Sequence, residues 1–275
     1  MNAQIKEPTT LSISCVVYDT DYDVLATTIE SLHVAIQEAV KQRSLNNCTF
    51  YLINNHLLTP DSFQQAATLA QSFFSDMEII NGHGNIGYGR ANNLAINKSQ
   101  AKFHLILNPD VKLDKLAIKE GITFLTQYPT VDLVAPSATN DNGKNEYLAK
   151  RMPTPLIIFL RGINSLVLNQ IFKRQLDWYT YQDKLPTQEP IEIELASGCF
   201  MLCRTQILKD IGGFSPKYFL YFEDFDLSRR MKHKVFLPSM RIAHLGGNTA
   251  RKGFQHIKLF LKSYLIFLTS SKKQN

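Results

Sequence analysis

The sequence predicts an α/β fold, a mostly parallel central sheet flanked by helices. Three observations lead there. Between residues 11 and 135, short apolar runs alternate with stretches of helical periodicity about five times, the pattern of a doubly covered parallel sheet. The runs are rich in β-branched residues, as in strands buried on both faces. They are followed by turns rich in Asn, Asp and Gly, and in such a sheet these turns gather at the carboxyl edge, where ligands collect.

The elements follow in order. Residues 11–18 (LSISCVVY) read as a buried strand. Asp21 precedes an amphipathic helix with Leu25, Ile29, Leu32, Ile36 and Val40 on one face. Phe50 to Ile53 form a second strand, ending at Asn54-Asn55-His56. Thr59-Pro60-Asp61 predicts an N-cap with proline at the first helical position, and that helix turns Phe63, Ala67, Ala70 and Phe74 inward. Met77 to Ile80 form a third strand, broken by Asn81-Gly82-His83-Gly84; a glycine-opened helix occupies 85–99 and FHLIL (103–107) is the next strand. A helix from Asp114 to about Gln127 and a strand at Val131–Ala135 complete the pattern. Beyond it, 139–147 suit a loop or hairpin tip, 191–204 one long strand, and VFLP and MRIAHLGG short strands or loops.

Composition bounds the function. Hydrophobic residues at 44% and charged residues at 20% are those of an ordinary globular chain. No apolar run reaches the length of a membrane span, and the N-terminal residues lack a secretory signal's apolar core, so a cytoplasmic location is expected. The four cysteines, Cys15, Cys48, Cys199 and Cys203, lack the paired short spacing of a zinc site and are expected as reduced thiols. The net charge of +6 is concentrated at the end: from Arg251 onward every charged residue is basic, namely Arg251, Lys252, Lys258, Lys262, Lys272 and Lys273.

Four features carry chemistry. LILNPDVKL (105–113) brings a core strand to a rigid Asn108-Pro109-Asp110 turn; Asp110 is either a turn-capping acid or a hard oxygen ligand for Mg²⁺ or Mn²⁺. GNIGYGRANN (84–93) matches neither common phosphate-loop pattern, yet Gly84, Gly87 and Gly89 permit close backbone approach and Arg90 opens a helix. Glu223-Asp224-Phe225-Asp226 places acids in a first helical turn, which the dipole stabilises. The flanking aromatics wall them in apolar surface, raising a carboxylate toward a useful base; Asp226 pairs with Arg229 or Arg230, which leaves Asp224 and Glu223 for chemistry. His244 precedes a glycine turn and is either structural or a ligand.

Taken in order, VVYD (16–19), NN (54–55), GNIGYGRANN, LNPDV (107–111), ASGCFMLCR (196–204), GGFSPKYFLYFEDFDLSRR (212–230) and HLGG (244–247) resemble family 2 glycosyltransferases of the GT-A fold. The resemblance is nearest to the bacterial rhamnosyltransferases of polysaccharide assembly. It implies a GT-A domain over 1–250, with 1–112 binding the nucleotide sugar and 113–250 carrying acceptor and catalysis, followed by a basic amphipathic helix at 251–275. It implies that Tyr18, Asp19 and Asn54 hold base and ribose, and that Gly87, Arg90 and Asn93 line the donor side. Asn108 and Asp110 fall on the metal motif, Asp224 on the catalytic base beside Glu223, and His244 on a metal or diphosphate contact. Two positions depart from the family: Asn54 stands for an aspartate, and Asn108 for the first metal acid, which points to modest metal affinity.

The implied reaction is inverting transfer of L-rhamnose from dTDP-β-L-rhamnose to a polyprenyl-diphosphate-linked, lipopolysaccharide or capsule saccharide, with a divalent cation on the diphosphate. A UDP-hexose donor and a non-catalytic nucleotide- or membrane-binding module are the rivals. At 253–273, Phe254, Ile257, Phe260, Leu261, Tyr264, Leu265 and Leu268 form an apolar stripe edged by lysines, suited to the inner face of an anionic bilayer, to packing on the domain, or to a homodimer contact. Nucleic acid is not expected, because the lysines flank an apolar helix without stacking aromatics on a charged face.

Overall fold

The apolar run after Thr9 takes up parallel partners on both sides, and the architecture follows from that. The computed structural model describes residues 8–163, 165–246 and 254–271. The first half runs β1 (Thr10–Val17), α1 (Tyr22–Lys41), β2 (Asn47–Asn54), α2 (Asp61–Phe73), β3 (Met77–Ile80), α3 (Tyr88–Lys98) and β4 (Phe103–Leu107). These strands pair in parallel in the order β3-β2-β1-β4.

The second half runs β5 (Val111–Leu113), α4 (Ala117–Gln127), β6 (Leu133–Asn140), β7 (Asn145–Glu146), β8 (Ala149–Lys150), α5 (Pro155–Ile163), α6 (Leu166–Ile171) and α7 (Lys173–Tyr179). It continues with β9 (Ile191–Glu192), β10 (Leu195–Ala196), β11 (Phe200–Arg204), α8 (Thr205–Asp210), α9 (Glu223–Arg229), β12 (Lys234–His244) and α10 (Phe254–Ser271). The main sheet has ten strands, ordered β3-β2-β1-β4-β11-β6-β12-β5, with β7 on β6 and β9 on β12. β11 enters antiparallel between β4 and β6. β8 and β10 form a separate two-stranded ribbon.

The apolar periodicity places the core as expected: Leu25, Ile29 and Leu32 of α1 and Phe63 and Ala70 of α2 are fully or almost fully buried with Ile13 and Phe50. Each such large side chain contributes roughly 1.5–3 kcal/mol.

The structure corrects several local expectations. Ala39 rather than Val40 closes the α1 stripe; Val40 is 46% exposed. Pro60 itself is the N-cap of α2 and supplies no side-chain bond, while Thr59 accepts from Asn54. The stretch 191–204 is three short strands rather than one, because Ser197-Gly198-Cys199 turns between β10 and β11. VFLP and MRIAH join in one strand, β12, with a register shift between Leu237 and Arg241.

A buried polar network fastens α3 to the sheet. His104 of β4 contacts the Ser12 hydroxyl through Nδ1 at 2.7 Å and the Ser14 hydroxyl through Nε2 at 3.0 Å. Ser14 donates to Asn92 Oδ1 at 2.6 Å, and Ser12 meets Ser99 at 2.6 Å, at the end of α3. Every residue of this chain is buried, so each bond is made where water cannot replace it. Burial, and then the Lys209 ammonium, push the His104 imidazole down to about 3, so it is neutral in the folded protein.

At the other end of the domain, α10 docks on the segment that leads into α9. Phe222 packs against Phe260, Tyr264 and Phe267 with ring centroids 5.1, 5.4 and 5.4 Å away. The Arg229 guanidinium lies 4.2 Å over the Phe267 ring and donates to its carbonyl, while Ser263 donates to the Leu220 carbonyl at 2.7 Å. Of the apolar stripe, Phe260, Tyr264 and Leu268 thus face the protein, whereas Ile257, Leu261 and Leu265 point outward. The stripe is divided between two uses because a helix this apolar is wider than one contact. Arg251, Lys252, Lys272, Lys273 and Gly247 lie outside the described residues.

The docking holds a strained turn. Tyr221 and Phe222 both adopt left-handed conformations, with φ of 70° and 63°, a region costly for bulky residues. Replacing Phe222 by Ala is expected to cost about 3 kcal/mol through lost packing. Phe222→Gly is expected to be the more stable of the two by about 1 kcal/mol, since glycine bears the left-handed turn freely; urea unfolding of both variants checks the order. His104 gives a second expectation. The unfolded state protonates near pH 6.5 and the folded state near 3, so its contribution is complete above 6.5 and is lost as pH falls toward 3. Stability should drop by up to about 1.4 kcal/mol per pH unit in that window, and His104→Gln should flatten the slope in urea titrations at pH 7, 6 and 5.

Candidate active site

Sheet pairing gathers the predicted acids at one edge. β4 delivers Asn108-Pro109-Asp110, and the antiparallel β11 sets Ser197-Gly198-Cys199 beside them, with the Asn108 amide donating to the Cys199 carbonyl at 2.8 Å. β12 ends opposite β5, so His244 pairs with Val111 and lies next to Asp110. The hairpin β6–β7 brings in Glu146, which the sequence did not single out because its acid sits in a polar loop-like stretch. Cys199 is buried among these groups: its thiol is pushed up by burial first, then by Glu146, Asp110 and Asp224.

His244 bridges two carboxylates. Its Nδ1 lies 3.0 Å from Glu146 Oε2 and its Nε2 lies 3.4 Å from Asp110 Oδ1. Asp110, then Glu146, raise the imidazole to about 10, so it is a cation here. Asp110 Oδ1 is buried and accepts no hydrogen bond, and a Cβ on Gly246 would lie 1.7 Å from Asp110 Oδ2. The carboxylate is thus held against bare backbone, its Oδ1 facing the His244 imidazolium without a formed hydrogen bond, a hard oxygen of the kind that suits Mg²⁺ or Mn²⁺. Among the described residues no group of three His, Cys, Asp or Glu is arranged to hold a metal by itself.

Asp224 is the second residue of α9, which starts directly after the strained Tyr221-Phe222 turn. Its Oδ2 accepts from the Gly198 amide at 2.8 Å and its Oδ1 from the Phe225 amide at 2.8 Å. Burial raises its carboxyl, against the pull of those amides and of Lys150. Glu223 is also raised, by burial first and then by Asp224, and its Oε2 is buried without a partner. Two adjacent acids cannot both be charged cheaply in such surroundings, so their environments separate them. Asp226 instead binds Arg229 at 3.1 Å and Arg230 at 3.0 Å, the structural role expected of it.

The donor-side residues are placed differently from one another. Tyr18, 52% exposed at the end of β1, stands beside His56 with ring centroids 5.5 Å apart, and Asp19 follows in a left-handed turn. Asn54 is buried, with its amide donating to Leu58 and accepting from His56 in its own loop. Gly87 has φ 89°, and a Cβ there would meet the Phe219 carbonyl at 2.4 Å, so the glycine serves a backbone approach. Arg90 donates to the Pro216 carbonyl, and Asn93 exchanges two bonds of 2.8 Å with the Phe214 backbone. Helix α3 thereby holds the 213–219 segment that leads to Asp224. Lys150, Arg161 and Tyr179 lie nearby and escaped sequence reasoning, since only folding brings them to Asp224.

The pattern that defines Glycosyl transferase family 2 matches residues 12–212. The chain is 26% identical over 214 residues to the N-acetylglucosaminyl-diphospho-decaprenol L-rhamnosyltransferase of Mycobacterium tuberculosis, covering 71% of this chain and 67% of that protein. It is 23% identical over 218 residues to rhamnosyltransferase WbbL of Escherichia coli K12, covering 72% and 76%. The solved structure of GalNAc-T7 with UDP, GalNAc and Mn²⁺ superposes with a TM-score of 0.62 at 13% identity over 94% of this chain; the match spans only 47% of that longer chain. The fold is the GT-A arrangement expected from the motif order, and with its defining pattern matched over most of the sequence, the chain belongs to glycosyl transferase family 2.

Proposed function

We propose that this family 2 glycosyltransferase transfers L-rhamnose from dTDP-β-L-rhamnose, with inversion, to a hydroxyl of a polyprenyl-diphosphate-linked saccharide. The observation that carries the reading is Asp224: a carboxyl raised by burial yet oriented by the Gly198 and Phe225 amides, on the same sheet edge as Asp110 and His244. Rhamnose transfer is supported by the names of both rhamnosyltransferase relatives, and a lipid-linked acceptor by that of the diphospho-decaprenol enzyme.

In this reaction the acceptor oxygen attacks the anomeric carbon as its proton passes to Asp224. The new C–O bond forms as the bond to the diphosphate breaks, and the nucleoside diphosphate departs with the electron pair from the opposite face. Burial raises both Glu223 and Asp224, and the Gly198 and Phe225 amides favour the charge on Asp224, the acid that would take the proton. Asp110 would hold a divalent cation whose charge neutralises the leaving diphosphate, and His244 would join it on giving up its proton. Glu146 would then orient the imidazole from its far side. Tyr18 and His56 offer an aromatic rim to the base, and Asp19 an acceptor to the ribose. Gly87, Arg90 and Asn93 shape the donor side through the loop they fasten.

Membrane contact fits the outer face of α10, where Ile257, Leu261 and Leu265 are exposed beside Lys258 and Lys262. No helix among the described residues is long and apolar enough to cross a bilayer. The superposed structure that holds UDP and GalNAc keeps a UDP-hexose donor as the second reading.

Asp224→Asn is expected to lower kcat by about 10²–10⁴-fold with little change in donor KM, measured as nucleoside diphosphate release with a lipid-linked acceptor. Turnover with UDP-glucose or UDP-galactose but not with dTDP-rhamnose would overturn the donor assignment. Asp110→Ala is expected to abolish the extra thermal stabilisation that Mn²⁺ confers in the presence of dTDP. An unchanged Mn²⁺ response in a thermal-shift titration would remove Asp110 from the cation site.

A further inference from the structure

Beside Asp224 a cleft of about 260 Å³ opens between α5, α7, α10 and the segment before α9. Two cations line it. Arg161 donates from Nη1 to the Tyr179 hydroxyl at 3.2 Å, with its guanidinium carbon 5.5 Å from the ring centroid. Lys150 approaches the same ring, its Nζ 6.0 Å from the centroid, and donates to the Tyr147 carbonyl. Tyr179 is fully buried, so the two positive groups are held near one another by a fixed ring.

Neither cation has a carboxylate within ion-pair distance among the described residues. Arg161 is exposed, whereas the more enclosed arginines are paired: Arg151 grips Asp183 with two bonds of 2.7 and 2.8 Å, and Arg229 and Arg230 share Asp226. Lys150 feels Glu146 and Asp224 at longer range but pairs with neither, while the like charge of Arg161 opposes it, and an anion set between the two cations would relieve that opposition. Burial, with Arg161 next, pushes the Lys150 ammonium down to about 7, against the pull of Glu146 and Asp224.

The remaining walls say what accompanies the anion. Ile158, Leu220, Phe222 and Phe260 make one side apolar, and Phe159 on α5 and Leu261 on α10 stand exposed on the helices that flank the cleft. Asp224, Lys150 with Arg161, and then exposed apolar side chains together match a molecule with a reactive hydroxyl, a phosphate and an apolar chain.

We infer that Lys150 and Arg161, set on Tyr179, form a phosphate-binding subsite for the acceptor. The subsite binds the acceptor's own phosphate, separate from the donor diphosphate on the Asp110 side, and presents the neighbouring sugar hydroxyl to Asp224. It rests on the acceptor side of the proposed transfer. An arginine fork with a second cation suits a phosphate or diphosphate.

The test is calorimetry on the full chain with the donor side filled by dTDP and Mn²⁺. The probes are octyl N-acetylglucosaminyl diphosphate, the same glycosyl diphosphate without the octyl chain, and neutral octyl N-acetylglucosaminide. Wild type should prefer the octyl diphosphate over the neutral glycoside by about 10-fold or more. Arg161→Gln and Lys150→Gln should each remove most of that preference without weakening the neutral glycoside, and Arg161→Lys should restore much of it. Equal binding of charged and neutral probes, or a preference that survives both Gln substitutions, overturns the subsite. A preference kept without the octyl chain assigns the phosphate to a soluble acceptor, and one lost without it assigns a lipid-linked acceptor; either supports the subsite. Sugar transfer that persists without any phosphate preference refutes the subsite alone, whereas a preference in a chain that transfers nothing refutes the transfer reading alone.

Discussion

The left-handed turn at Tyr221-Phe222 is the constraint on which the catalytic end of this protein depends. Two bulky residues in that region are unfavourable by themselves, at about 1–3 kcal/mol each. They persist because Phe222 is sunk among Phe225, Phe260, Tyr264 and Phe267, and because Tyr221 reaches His256 on the same helix. Burial of that aromatic cluster offsets the strain, and the turn in exchange starts α9 with Glu223 and Asp224 facing inward. The C-terminal helix is therefore part of the support of the site, whatever else its outer face does.

The second constraint is electrostatic. Asp110, Glu146, Asp224 and Glu223 crowd an edge in which Cys199 is completely enclosed. Such crowding is tolerable only if the charges are neutralised or separated. His244 does the first between Asp110 and Glu146, and the Gly198 and Phe225 amides do the second by favouring charge on Asp224 over Glu223. Around Tyr179 the sign reverses, where Lys150 and Arg161 meet without an ion-pair partner among the described residues. A site with an excess of acid on one side and of base on the other is arranged around ligands that carry the opposite charges.

The glycine-opened helix has a different meaning from the one its composition suggests. Gly87 allows the Phe219 carbonyl to pass close to α3, and Arg90 and Asn93 hold the backbone at Pro216 and Phe214. These residues lie more than a hundred positions from the acids they help to place. Their role here is packing between α3 and the segment before α9. The buried His104 network anchors the other side of the same helix to β1 and β4.

The sequence by itself determined the order of strands and helices in the first half, the core stripe of α1, the strand that ends on Asp110, and the motif series by which the family is known. Those features are local: they arise from apolar periodicity, turn chemistry and spacing, all of which are written along the chain. Its errors were local as well, at Val40, at Pro60 and in the stretch 191–204 that Gly198 breaks. Only the tertiary structure decided that β11 inserts antiparallel beside β4, that Glu146 meets His244, that Lys150 and Arg161 share Tyr179, and that half of the terminal apolar stripe is covered. Each of these joins residues tens to more than a hundred positions apart, and such partners are selected by the free energy of packing the whole sheet and its helices, which no single segment contains.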